Sequence, residues 1–61
     1  MPNVYKTILT NFGTVVYTGE NIDIAQVNAE TSGLECYIEC DGVLMFTYSP
    51  ISGWKAYGKH V

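Results

Sequence analysis

Between Leu34 and Ser49, two runs of apolar and β-prone residues flank the dipeptide Asp41-Gly42. That dipeptide tolerates the two positive φ angles of a type I′ turn, so the stretch predicts a β-hairpin closed by a two-residue loop. An uninterrupted two-residue loop sets the pairing. Cys40, Ile38, Cys36 and Leu34 oppose Val43, Met45, Thr47 and Ser49 on a core face. Glu39, Tyr37 and Glu35 oppose Leu44, Phe46 and Tyr48 on the other. The second face is half acidic and half aromatic, which is unusual for a wall that meets only water.

Val4 to Thr10 is rich in β-branched and aromatic residues and reads as a strand, with Thr14 to Thr18 as its return. Asn11-Phe12-Gly13 supplies a three-residue reversal that pairs Leu9 with Val15 and Ile8 with Val16. After Gly19 the pattern changes. Asp23 and Gln26 have capping-box spacing, and Ile22 and Val27 fit the positions of a hydrophobic staple. These signals predict a helix from about Ile24 to Ser32, with Gly33 as the left-handed residue beyond it. The alternation of Ile22 and Ile24 with polar neighbours gives the competing reading, a strand over 20–27. Ser49-Pro50 ends the second hairpin, because proline cannot donate to a ladder. Beyond it, Trp54 to Gly58 forms a C-terminal arm, either a short edge segment or a strap across the sheet, and Lys59 to Val61 a fraying tail.

The fold class that follows is α+β: one domain over residues 1–61, in the order β-β-α-β-β, with a four-stranded, mainly antiparallel sheet and one short helix on one face. So short a helix covers only part of that sheet. The other face, with Tyr37, Leu44, Phe46 and Tyr48, has only the Trp54 arm to cover it, and an exposed apolar patch of that kind marks an interface.

Composition sharpens this picture. A 61-residue chain buries only about 60% of its unfolded surface, and small domains commonly gain stability from a partner subunit. The chain is 48% hydrophobic and 15% charged, against a usual charged share of about 25%. Few charges and many apolar residues favour self-association. Net charge is −3, with three lysines and no arginine, which excludes the basic stripe and the Arg forks of a nucleic-acid binder. The first residues lack the basic-then-apolar pattern of a signal peptide, and no apolar run approaches the about 18 residues of a spanning helix. Nothing here calls for a membrane, and the expected location is cytoplasmic.

Candidate chemistry is sparse. Cys36 and Cys40 lie four residues apart on one strand, about 13 Å at the usual rise, too far for a disulfide or a shared metal. They read as core thiols kept reduced. Zinc would need two more ligands, and His60 is the only histidine. A histidine in a fraying tail lacks the partner that holds a catalytic base in place. Glu35 and Glu39 share a strand face at the same separation, beyond that of hydrolytic carboxylate pairs. They read as edge charges or as partners of Lys55 and Lys59 across an interface. Asp23 and Asp41 have a cap and a turn to make. No catalytic residue, metal or cofactor is expected.

The aromatics are the remaining resource, and aromatics are enriched at protein interfaces. The expected function is a non-enzymatic interaction domain that forms a homodimer or higher oligomer through Tyr37, Leu44, Phe46 and Tyr48. Trp54 either anchors a docking loop or closes one end of the core. The alternative is a small adaptor or inhibitor, of the kind that bacterial and phage chains of this size supply, that grips a larger host protein. A small-ligand or enzymatic role at a subunit interface ranks below both.

Overall fold

The computed structural model of the protein describes residues 3–57. Its elements run β1 (Tyr5–Leu9), β2 (Val15–Gly19), α1 (Ile22–Ser32), β3 (Cys36–Cys40), β4 (Val43–Ser49) and β5 (Gly53–Ala56). They make one antiparallel sheet in the order β2-β1-β3-β4-β5, with α1 packed over β1, β2 and β3. The fold is the expected α+β type, with five strands in place of four. The extra strand comes from the arm. Ser49 Oγ accepts from the amides of Ile51 and Ser52 at 3.2 and 3.4 Å, which tightens the Pro50 turn. Gly53 then pairs with Ser49, and Trp54 with Tyr48. The arm is an edge strand and not a strap across the sheet.

The segment 20–27 is settled as helix by its ends. The N-cap is Asn21, two residues earlier than expected from Asp23. Its Oδ1 accepts from the amides of Asp23 and Ile24 at 2.9 and 3.2 Å, satisfying two of the donors that a helix start leaves open. Asn21 in the cap puts Ile24 where a capping box wants a glutamate, so neither the box nor the Ile22–Val27 staple forms, and Val27 is exposed. Asp23 instead sits in the first turn, where a negative charge complements the helix dipole. Gly33 closes the helix at φ 69°.

The β3–β4 turn has φ of 52° at Asp41 and 84° at Gly42, both positive as a type I′ turn demands. Asp41 also ties the turn to the start of β1. Its amide donates to the Val4 carbonyl at 2.9 Å and its Oδ1 accepts from the Val4 amide at 3.0 Å.

Both hairpins contain a bulge that the simple registers above omit. In the first, Thr7 faces Tyr17 and Ile8 faces Val15, leaving Val16 as the extra residue. The expected Leu9–Val15 and Ile8–Val16 pairs are therefore displaced by one. In the second, Glu39 faces Leu44 but Ile38 faces Phe46, leaving Met45 extra. The pairing holds through Cys40–Val43 and Glu39–Leu44 and then slips by one. Leu34 never joins the strand and lies exposed.

The core is small: Ile8, Ala25, Ala29, Cys36 and Ile38, with one buried polar residue, Thr7. Small Ala25 and Ala29 let the helix backbone approach β1 closely enough for Thr7 Oγ1 to donate to the Ala25 carbonyl at 2.9 Å. That bond removes the cost of burying the hydroxyl. Ile38 is fully buried at the centre of the middle strand.

At about 0.05–0.15 kcal/mol per residue, a chain of this length has only about 3–9 kcal/mol in hand. Ile38→Ala is expected to cost about 2–5 kcal/mol and to leave little cooperative unfolding. Thr7→Val keeps the shape, loses the bond to Ala25, and is expected to cost about 1 kcal/mol. Urea titrations followed by circular dichroism would give both, and equal losses would contradict this ranking.

Candidate functional site

The Met45 bulge decides which side chains share a surface. One added residue moves every later side chain of a strand to the opposite face. Phe46 and Tyr48 therefore point to the helix side with Ile38 and Cys36, while Thr47 turns away with Tyr37. The physical reason lies in what an unbulged ladder would bury. It would set Thr47 and Ser49 against the core and leave Phe46 and Tyr48 in water. An aromatic ring can bury about 150–250 Å², which outweighs a locally disrupted ladder.

The four residues expected to form one interface thus divide between two surfaces. Phe46, Tyr48 and Trp54 gather on the helix side, and Tyr37 and Leu44 stay on the other. The single aromatic face is corrected accordingly. Trp54 meets Phe46 edge-on, with ring centroids 6.1 Å apart and planes at 87°, and Tyr48 at 4.9 Å and 45°. Its indole N–H donates to Glu30 Oε2 at 2.8 Å, joining the outermost strand to the helix. These three half-buried aromatics cover the part of the sheet that α1 does not reach. This is the packing role for Trp54.

The opposite face has a different character. In register across it run Val15, Ile8, Tyr37, Thr47 and Lys55, with a second row of Thr18, Lys6, Glu39 and Leu44. Among the described residues no element packs over it. Ile8 is nevertheless buried, flanked in register by Val15 and Tyr37. A shallow depression of ≈ 330 Å³ lies beside it, lined by Thr10, Tyr37, Glu39, Leu44 and Thr47. Glu39 stands next to Lys6 on the neighbouring strand. Because β3 is an interior strand, Glu35 and Glu39 do not guard an edge as expected.

A second cleft of ≈ 300 Å³ opens at the end of the sheet, among Thr10, Glu35, Ser49, Ser52, Trp54 and Lys55. Its hydroxyls invite a catalytic reading, but Ser49 Oγ already accepts two turn amides. Three exposed apolar loop residues ring the same end: Phe12 (67% exposed), Leu34 and Ile51 (95%). All three lie at this end because the β1–β2 loop, the α1–β3 connection and the β4–β5 turn are found where β3 begins. The sequence signal for this cluster was the apolar residue inside each turn.

Both cysteines are free, Cys36 fully buried and Cys40 half-buried on the same side of the sheet. Cys36 Sγ donates to the Leu34 carbonyl at 3.3 Å. Desolvation pushes the Cys40 thiol above its ordinary value of 9.0, and the Asp41 carboxylate adds to the rise, against a smaller opposing bond with Tyr5. Among the described residues, no group of three or more His, Cys, Asp or Glu side chains converges on a point where a metal could bind. No helix there is long and apolar enough to cross a membrane. His60, Lys59 and the expected fraying tail lie outside the described residues. Comparison with protein families, characterised proteins and solved structures finds no match to this chain.

The Cys40 environment gives a pH prediction. A raised folded-state value means that this thiol supports the fold fully below its unfolded value, near 9.0, and that the support is lost as pH climbs through the folded value. Alkylation by iodoacetamide should accordingly show a midpoint above 9.0 for Cys40. Asp41→Asn keeps an acceptor for the Val4 amide and tolerates the left-handed conformation, yet removes the charge. Its midpoint should fall back toward 9.0. A midpoint unmoved by that change would remove the carboxylate as a cause.

Proposed function

We propose that the protein is a small, non-enzymatic interaction domain that self-associates through the uncovered face of its sheet. One observation carries this reading: the face opposite the helix has no covering layer among the described residues, and its charges balance. Lys6 and Lys55 stand there with Glu35 and Glu39, two cations against two anions. The other acids, Glu20, Asp23, Glu30 and Asp41, sit on the helix, its approach and a turn. For a chain of net charge −3, this is a broad surface that a second copy can approach without net repulsion. Tyr37, Leu44 and Val15 supply apolar area between the charges. Phe46, Tyr48 and Trp54, with which the sequence would have built the contact, contribute only by holding β4 and β5 in place.

The ring of Phe12, Leu34 and Ile51 favours a second reading, a small adaptor or inhibitor gripping a larger protein through its loop end. Ile51 is held outward by a turn that Pro50 and Ser49 stiffen. Exposed apolar residues at one end of the molecule offer separate anchor points for a partner that spans that end. The two free thiols support a reducing compartment such as the cytoplasm for either role.

Light scattering behind a sizing column, across a dilution series, tests the first reading. Wild type should run at twice 6.8 kDa or more. Leu44→Glu, which breaks the charge balance at an exposed position, should lower the mass while leaving the circular dichroism spectrum intact. A wild-type mass of 6.8 kDa at every concentration would end this reading and turn attention to the loop end. There, Phe12→Ser and Ile51→Ser should abolish binding of any protein that co-purifies, without changing stability.

A further inference from the structure

We infer that the chain carries a second self-contact, distinct from the open face: edge-to-edge pairing of β2 with β2 of another copy, with the adjoining flanks of the two α1 helices packed above it. The inference rests on the self-association proposed above but not on the open face being the surface used.

The two sheet edges are unlike. At the β5 edge the strand has four residues, follows Pro50 and carries Lys55. A short strand, a lysine and a nearby proline are the usual means of blunting an edge. The β2 edge, from Thr14 to Gly19, has neither a charged residue nor a proline. Its outward backbone groups can be identified by alternation along β1. The Leu9 amide donates toward β2, to Thr14, and the Thr10 amide donates toward β3, to Glu35. Odd-numbered β1 residues therefore bond across to β2, opposite Tyr17 and Gly19, and the Thr18 amide and carbonyl point outward, where no strand among the described residues meets them. A second β2 running antiparallel offers the matching groups.

The helix extends this surface. Glu30 reaches Trp54 on β5, so the flank of α1 that holds Glu30, Gln26 and Asp23 looks toward the β5 side. Across the buried stripe of Ala25 and Ala29, the other flank holds Ile24, Asn28 and Thr31, with Val27 at the crest. That flank lies on the β2 side and has no charge. Ile24 is 46% and Val27 56% exposed, and the Asn28 amide already donates to the Ile24 carbonyl at 2.9 Å. An uncharged strand edge and an uncharged, partly apolar helix flank are therefore continuous. In an antiparallel pair centred on β2, each Glu20 lies beyond the partner's Thr14, which keeps the two acids apart. The bulge at Val16 shortens the run of regular backbone, so strand bonds alone give a weak contact and the helix flanks must contribute.

The occupant that this surface fits is a second copy of the chain: two β2 edges running antiparallel about a two-fold axis would offer each other matching outward groups, and neither half carries a charge to repel the other. The decisive variant is Ile24→Glu. It adds a carboxylate to the first helical turn, which favours the isolated fold, and sets like charges against each other across the two-fold. Thr18→Pro removes the outward amide at an edge position without touching the inner ladder. Mass by sedimentation and amide exchange by NMR should be read on wild type, both variants and Leu44→Glu. The expected result is that Ile24→Glu and Thr18→Pro each halve the assembly mass and that Ile24→Glu keeps cooperative unfolding. The Thr18 amide of wild type should exchange about tenfold or more slowly compared with Ile24→Glu.

If only Leu44→Glu lowers the mass, the edge contact is wrong and the open face stands. If only the β2-edge variants do so, the edge contact stands and the open face falls. A wild type that is monomeric, with a freely exchanging Thr18 amide, overturns both, including the case in which a strand from another protein fills the edge.

Discussion

An eleven-residue helix can lie over only part of a five-stranded sheet, and the rest of this molecule is arranged around that shortfall. Over β2, β1 and β3 the cover is α1 itself, held close by two alanines and by the Thr7 hydroxyl on the Ala25 carbonyl. Over β4 and β5 the cover is three aromatic rings. They reach that side only because Met45 is inserted into the ladder as an extra residue. The indole bond from Trp54 to Glu30 then joins the two halves of the layer. The bulge, the aromatic cluster and the fifth strand are linked: without the bulge the rings point to water, and without β5 there is no Trp54 to bridge to the helix.

The same shortfall accounts for what is left bare. Among the described residues the covering groups all lie on one side, so the other side keeps Tyr37, Leu44 and Val15 at the surface among charges of both signs. Small domains with little core gain most from burying such surface against another molecule. That physical pressure, and not any catalytic group, is what points toward association.

Much of the fold was legible in the sequence because local chemistry fixed it. Asp41-Gly42 could hardly be anything but a tight hairpin turn, and Gly33 marked the end of the helix. The two bulges were harder. At β4 the signal was present: Val43 to Phe46 is a run of four apolar residues with no alternation, and strict alternation resumes at Phe46 in the opposite phase. A change of phase inside one strand requires an extra residue, but a two-residue turn fixes the register only up to the first bulge. At β2 the pair Val15-Val16 gives no such signal, since either valine satisfies either face. The N-cap was misplaced for a different reason. Asn21 and Asp23 are both good caps, and only the path of the chain leaving Gly19, with the Asn21 amide donating to the Tyr17 hydroxyl at 3.3 Å, selects the first. The interface residues followed the register, so the slip at Met45 divided them.

The position of β1 has a consequence for how the chain reaches this structure. Three of the four ladders join a strand to its sequence neighbour across a short turn: β1 to β2, β3 to β4 and β4 to β5. Each of these pairings closes a loop of a few residues. The exception is the ladder between β1 and β3, which joins Tyr5 to Cys40 and Leu9 to Cys36 across the whole of β2 and α1. Closing that long loop carries the largest entropic cost of any step, and non-local pairing of this kind sets the pace at which small domains fold. The two local units can form early, but they share one hydrophobic core only when β1 pairs with β3. Val4 and Asp41, bonded in both directions where that ladder ends, fasten the joint.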